Sequence, residues 1–445
     1  MHEDLRSAAV SWSPKARTIL ADLVRIPSVS APGYPASEVE RSARHVAGLM
    51  EEAGFGDVRL LELDGAHPAV YGHLPAPEGA PTVLLYAHHD VQPPGPADDW
   101  LTGPFEPFEQ EGRLFGRGAS DNKAGIVMHL GAIAAHGGRP PVGVKMFVEG
   151  EEETGSGHLV EFLDTYAKLL NADVIVIGDS GNWAVGAPAL TTSLRGIVSC
   201  LIEVRTLEAP VHSGLFGGVF PDALTVLARC LATLHDEQGN VAVPGLVSED
   251  GTGLDLSDDL ARSMAGAVAG LETMGEGSIT ARLWTKPAVS VLAIDAPPVA
   301  EAINQLVPVA RAKVSMRIAP GQDTGAALDA LRLHLESEVP WGAQVTVSPL
   351  ESGDAFRLST ENAASRAWKE ALSLAFGTDA VEMGVGGSIP FVAAFSDLYP
   401  DAPLLLTGAG DPTSSVHAPN ESQDLADLEK SILAEAIALR LLAQG

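Results

Sequence analysis

The chain is short of cysteine, short of positive charge and free of long apolar runs, and each shortage removes a class of function. Two cysteines, Cys200 and Cys230, in 445 residues cannot build a disulfide framework or a thiolate zinc site. Both lie in apolar surroundings, where a buried, inert role is the default. Lys and Arg number 28 against 58 Asp and Glu, a formal net charge of −30. Nucleic acid and anionic membranes need basic patches, so neither is an expected partner. The bland effect of such an acidic surface is solubility. No apolar stretch reaches the ~18 residues of a membrane span. The start, Met1-His2-Glu3-Asp4-Leu5-Arg6, lacks the basic and apolar segments of a signal peptide. The expectation is a cytoplasmic protein. No repeat of fixed period occurs.

What is present is ordinary for a globular chain: 46% apolar and 19% charged residues, in a length that suits two or three domains. The 46 Gly and 31 Pro are dispersed, which marks turns rather than low complexity. Ser37 to Gly54 reads as an amphipathic helix with Ser37 as N-cap, Val39, Ala43, Val46 and Met50 as its apolar stripe and Gly54 as its stop. Strand-like and helix-like runs alternate to about residue 190, including a helix from Ala124 to Ala135. That alternation predicts a mostly parallel sheet with helices on both faces. After Pro188 the order becomes strand Gly196–Thr206, helix Pro221–Asp236, strands Ala288–Ile294 and Ala312–Ile318, helix Thr324–Glu338 and strand Ala343–Val347. This βαββαβ order is that of a ferredoxin-like sandwich. Gly239 to Ser278 is a polar excursion within it, and the helical pattern Glu361–Phe376 returns to the first domain. The predicted fold class is α/β: a catalytic domain of residues 1–190 and 356–445, interrupted by a ferredoxin-like α+β domain of residues 191–355.

The chemistry concentrates where apolar strands end. Thr82–Ala87 runs into His88-His89-Asp90, Val144–Val148 into Glu149-Gly150-Glu151-Glu152-Glu153, Val174–Gly178 into Asp179, and Leu404–Gly408 toward His417. In open α/β sheets the carboxyl ends of strands form the ligand crevice, so these segments are expected to converge. Residues i and i+2 share a face, so His88 and Asp90 point one way and His89 the other. Asp121, at the end of Gly116-Arg117-Gly118-Ala119-Ser120, opens a helix; it reads either as a helix cap or as a carboxylate bridging two metals. Glu151, Glu152 and Glu153 repel one another unless a cation compensates them or the run is simply solvated. Taken singly, His88, Asp179 and His417 are each equally well read as ordinary loop or strand-end residues. Oxygen ligands mixed with imidazole suit Zn, Mn or Co.

Together these segments resemble the dinuclear zinc peptidases, a family that includes carnosinase, cytosolic non-specific dipeptidase, aminoacylase and succinyl-diaminopimelate desuccinylase. The branch most resembled is the carnosinase-like dipeptidases. The marks are His88-His89-Asp90-Val91-Gln92-Pro93, Gly116 to Lys123, Glu149 to Ser156, His212-Ser213-Gly214 and Gly386-Gly387-Ser388-Ile389-Pro390, in family order from about residue 15 onward. The resemblance implies two divalent ions, zinc foremost and manganese or cobalt as the others that fit. His88, Asp121 and Asp179 would hold one, and Asp121, Glu153 and His417 the other. Glu152 would be the general base acting on a bridging water, Asp90 would orient His88, and Glu151 would be a bystander. His212 would reach the site of a partner subunit in a homodimer and stabilise the oxyanion. Arg317, Gly387 and Ser388 would bind the carboxylate of a small peptide substrate. The interrupting domain would be the lid and dimerisation domain. Two departures from the family pattern stand out: Ala124 replaces a usual Gly, and Ala209-Pro210-Val211 precedes His212 where an Asp-Leu pair is common.

The expected activity is that of a metal-dependent dipeptidase acting on dipeptides with a free C-terminal carboxylate. An N-acetyl or N-succinyl amino-acid amidohydrolase is the alternative. A non-catalytic binding homologue would lack Glu152 or the ligands, and all are present.

Overall fold

A computed structural model of the chain describes residues 2–251, 253–387 and 390–444. It divides into two compact units. The first comprises the chain up to Thr192, Leu358–Met383 and the chain from Pro390; the second comprises Ser193–Arg357 and Gly384–Ile389.

In the first unit, the strands Asp57–Leu61, Ala69–Leu74, Gly143–Glu149, Thr82–His88, Val174–Ile177, Leu404–Leu406 and Ala189–Leu194 lie side by side in that order. The four from Gly143–Glu149 to Leu404–Leu406 are mutually parallel. The flanking pairs are antiparallel, so the sheet is mixed, with a parallel centre. Parallel strands buried on both faces carry near-continuous apolar runs. Val83, Leu84, Leu85, Tyr86 and Ala87 are accordingly all fully buried. The helix Lys123–Ala135 is buried from Lys123 to Ile133 because Glu3–Val24, Leu425–Leu442 and Thr82–His88 pack around it. A helix apolar on all sides belongs in such a place. All four parallel strands end at the same edge of the sheet, and the segments that follow them carry His88, Glu152, Glu153, Asp179 and His417.

Two helix starts differ from the sequence expectation. The helix over Ala36–Glu52 has Pro35 at its N-cap without a side-chain bond, so Ser37 lies inside the first turn. Asp121 is not a cap either: Asn122 occupies that position, and Lys123 opens the helix despite Ala124. The Asp121–Asn122 peptide is cis.

The second unit has a four-stranded sheet in the order Ala288–Asp295, Val309–Ile318, Gly196–Arg205, Gln344–Gly353, every neighbour antiparallel. With helices Ala223–Ala232 and Thr324–Ser337 packed on it, this is the ferredoxin-like arrangement. Alternate residues Val198, Cys200, Ile202 and Val204 face those helices and meet Leu227, Cys230 and Leu331 in one core. Both cysteines are buried and unbridged. The stretch 239–278 contributes the short helix Asp258–Ala265. Among the described residues, no helix is long and apolar enough to cross a membrane.

Candidate functional site

Asp121 is the hub of the cluster at the sheet edge. Its Oδ1 lies 3.0 Å from His88 Nε2, and its Oδ2 lies 3.0 Å from His417 Nε2. Each oxygen thus serves one imidazole. Around His88, Asp179 Oδ1 is 3.6 Å from Nε2 and Glu152 Oε2 is 3.9 Å. On the other side, Glu153 Oε2 is 3.1 Å from His417 Nε2. The structure therefore brings His88, Asp121, Glu152, Glu153, Asp179 and His417 together from five segments of one unit.

Each side chain is aimed by bonds one step removed. Asp90 is fully buried; its carboxylate lies 3.3 Å from His88 Nδ1 and accepts the Ser30 hydroxyl at 2.6 Å. The same carboxylate accepts the N–H groups of Glu152 and Glu153 at 3.2 and 3.0 Å, so it fixes both the imidazole and the turn bearing two cluster acids. Asn122 Nδ2 donates to Asp179 Oδ1 at 2.7 Å and to the Gly178 carbonyl at 2.8 Å. Gln92 donates its N–H to Glu153 Oε1 at 3.2 Å. Glu151, by contrast, turns away: it accepts the His67 and His158 N–H groups and pairs with His158 Nδ1. His417 sits at φ +63°, a backbone region sparsely used by non-glycine residues and concentrated at functional sites.

Charge accounts for the titration of the set. Burial pushes the Glu152 carboxyl up to about 9, helped by Asp179, Asp121 and Glu153 nearby. Burial likewise raises Glu153 and Asp179 above their ordinary values. Hydrogen bonds to Asp121 and Glu153 lift His417 to about 10. Burial alone would depress His88, yet the Asp179 charge and the bonds to Asp121 and Asp179 hold it well above its usual value. Four carboxylates and two imidazoles packed this closely share too few protons to be at ease, and a divalent cation or two would relieve them. His88, Glu152 and Asp179 can each offer a ligand atom within 4.8 Å of one another, as can His88, Asp121 and Glu153. The donor chemistry, carboxylate oxygens mixed with imidazole nitrogens, fits divalent metal ions.

One residue that sequence reasoning passed over holds this arrangement. Glu421 is fully buried and accepts the N–H groups of Gly118, Ser120 and Asp121, each at 3.0 Å. Its fourth donor is Arg117, also buried, whose Nη1 donates at 2.6 Å and whose guanidinium lies over the Trp100 ring. The loop needs glycine: Gly118 has φ +83°, and a Cβ there would meet Val91 at 2.5 Å. Nothing local marks Glu421, an acid in a polar stretch after His417. In Glu421→Gln an amide NH2 would face donors on one side or the other, and Arg117 would lose its counter-ion. We expect a stability loss of roughly 3–5 kcal/mol together with reduced metal content, read by thermal melting and elemental analysis. A variant with unchanged melting temperature would show the bonds to be dispensable.

The remaining expected site residues belong to the second unit. His212 is exposed on the short strand Val211–His212, and its Nδ1 accepts the Gly214 N–H at 3.0 Å. Arg317 is half-buried on Val309–Ile318, and Gly387 is half-buried. Ser388 lies outside the described residues.

An α/β sheet whose parallel strands deliver this carboxylate–imidazole set defines a metal-dependent hydrolase. The model of peptidase family M20/M25/M40 matches residues 84–440, and the chain belongs to that family. A cysteinylglycine-S-conjugate dipeptidase of Corynebacterium striatum is 34% identical over 404 residues, 89% of each chain. A Cys-Gly metallodipeptidase of Schizosaccharomyces pombe is 28% identical, with 93% of each chain covered. The solved structure of human carnosine dipeptidase 1 shares the fold, with a TM-score of 0.80 at 24% identity over 100% of this chain and 99% of that one.

Proposed function

We propose that the chain is a metal-dependent dipeptidase that hydrolyses dipeptides with a free C-terminal carboxylate. The observation that carries the reading is the Asp121-centred cluster, with Glu152 beside it rather than within the His417 arm. The relatives named as Cys-Gly dipeptidases supply the substrate class. When bound, a pair of divalent ions, zinc foremost with manganese or cobalt as the alternatives, polarises a carbonyl and lowers the pKa of water. His88, Asp121 and Asp179 would hold one ion and Asp121, Glu153 and His417 the other. Glu152 takes a proton from water and returns it to the leaving amine. Asp90 keeps His88 Nε2 facing inward, since its carboxylate sits at the other ring nitrogen. Arg317 pairs with the substrate carboxylate, because a guanidinium matches carboxylate geometry bidentately. Two unbridged cysteines suit a cytoplasmic setting.

An unblocked dipeptide should be cleaved at least about 30-fold better than its C-terminal amide, the equivalent of ~2 kcal/mol for losing the charge pair between the substrate carboxylate and the half-buried guanidinium of Arg317. Ala-Ala or Cys-Gly, Ala-Ala amide and an N-succinyl amino acid, assayed side by side, test this. A preference for the N-acylated compound would move the substrate to the amidohydrolase class and leave the metal chemistry intact.

The second unit is proposed as a homodimerisation domain. Leu215, Phe216, Val219 and Phe220 stand exposed just after His212, and apolar surface of this kind marks an interface. His212 would then complete the partner's site. Mixing inactive His212→Ala with inactive Glu152→Gln protomers should recover part of the wild-type activity; a fully active monomer in solution scattering would exclude shared sites.

A further inference from the structure

His129 and Glu435 meet in the core between the helices Lys123–Ala135 and Leu425–Leu442, 0% and 1% exposed. The imidazole Nδ1 lies 2.9 and 2.8 Å from the two oxygens of the Glu435 carboxylate. Its Nε2 lies 3.0 Å from the Tyr86 carbonyl oxygen. A carbonyl only accepts, so Nε2 carries a proton, and Nδ1 shares another with the carboxylate. Burial alone would depress the imidazole, yet the Glu435 charge and hydrogen bond raise it above its ordinary value. Taking two ionisable groups out of water is costly, and an apolar pair of similar volume is often as stable or more so. Stability by itself therefore gives little reason for such a pair.

The contacts of the ring give a better one. The Tyr86 carbonyl also accepts the Gly178 N–H at 2.8 Å, where the parallel strands Thr82–His88 and Val174–Ile177 end side by side. His88 stands two residues beyond Tyr86, and Asp179 follows Gly178 directly. The imidazole also fills the place where a side chain on Gly178 would stand: a Cβ there would meet Nε2 at 2.5 Å and Cε1 at 2.8 Å. Asn122 holds the same residue through the Gly178 carbonyl. One ring thus braces two neighbouring strand ends at the point where each releases a residue of the cluster. Metal–ligand distances hold to within about 0.2 Å, so the spacing of those ends matters to a bound ion.

We propose that His129, held by Glu435, is a positioning residue: it fixes the spacing between the strand ends that present His88 and Asp179 to one metal ion. This rests on the assignment above of His88, Asp121 and Asp179 to a single ion. The competing account is a cross-link between two helices with no bearing on the site.

The test is stepwise Zn²⁺ binding to the chelated full chain, in competition with a chromophoric chelator, beside thermal melting. Asp179→Asn marks the step that belongs to the ion in question. His129→Leu/Glu435→Leu removes both polar groups at once and leaves no orphaned charge, so this chain should melt near the wild-type temperature. Its affinity at the marked step should fall about 10-fold or more, with the other step changed by less than about threefold. Glu435→Gln should bind both ions nearly as the wild type does, because its amide donates to Nδ1 and leaves the Nε2 N–H on the Tyr86 carbonyl. Unchanged affinity in the folded double Leu variant, or equal weakening of both steps, overturns the proposal. So does a Glu435→Gln chain that binds as weakly as the double Leu variant, since charge rather than position would then be at work. Should the double Leu variant fail to fold, His129→Asn/Glu435→Gln decides, because Asn reaches toward position 435 but is too short for the Tyr86 carbonyl. Loss at the marked step in that chain supports the proposal, and an unchanged step overturns it. A wild type that binds no Zn²⁺ instead refutes the metal reading itself, a result visible before any variant is made.

Discussion

Glu152→Gln lowers kcat by about 10²–10⁴-fold while the fold and the metal content stay as in the wild type. The substitution is isosteric, and the Glu152 N–H that Asp90 accepts is untouched. Only the capacity to take a proton is lost. Burial and the surrounding carboxylates push the Glu152 carboxyl up to about 9 in the ion-free chain. Cations beside it would lower that value toward neutrality, where a general base works best. Glu151 cannot stand in, because its oxygens are committed to His67 and His158. Glu153→Gln is the control: Glu153 lies in the His417 arm, so its loss should appear first as lower metal occupancy. Steady-state kinetics and elemental analysis on the same samples separate the two. Near-wild-type turnover in Glu152→Gln would remove it from the chemistry.

Dialysis against a chelator should abolish hydrolysis, and Zn²⁺, Mn²⁺ or Co²⁺ should restore it. Full turnover in a sample shown to be metal-free would end the metallohydrolase reading. Stability carries an independent signature. In the ion-free chain Glu152 stands near 9 against an ordinary 4.5, and His417 near 10 against 6.5. Both folded-state values are raised, so the folded chain holds more protons than the unfolded one between about pH 5 and 9. Its stability is full below that window and falls as pH rises through it. Melting temperatures of chelated protein should therefore decline from pH 5 to 9. Metal-loaded protein should show a smaller decline, because cations take the place of those protons. A chelated protein that grows more stable over that range would contradict the charge assignment.

Much of this was legible in the chain because its signals are local. Apolar runs such as Thr82–His88 and Val174–Ile177 announce buried parallel strands, and acids or imidazoles just past them announce a crevice. The βαββαβ order of the second unit was likewise a matter of counting elements. Ser37 was misread as a cap because a Ser before an apolar stripe looks the same whether the helix begins there or at Ala36.

By itself the sequence determined which segments carry chemistry, since period and strand ends are properties of neighbouring residues. Strand ends and periodicity alone did not determine how the acids of 149–153 divide, and only the family resemblance singled out Glu152 and Glu153 and set Glu151 aside. Tertiary contacts supply the physical cause: Tyr86 bonds Glu149, His67 and His158 take Glu151, and Asp90 turns Glu152 and Glu153 into the cluster. They also decided that Asp121 faces two imidazoles instead of capping a helix, and that Glu421, about 300 residues away in the chain, secures its loop. Hydrogen bonds between residues so far apart leave no periodic trace, because only the closed sheet brings their donors and acceptors within reach.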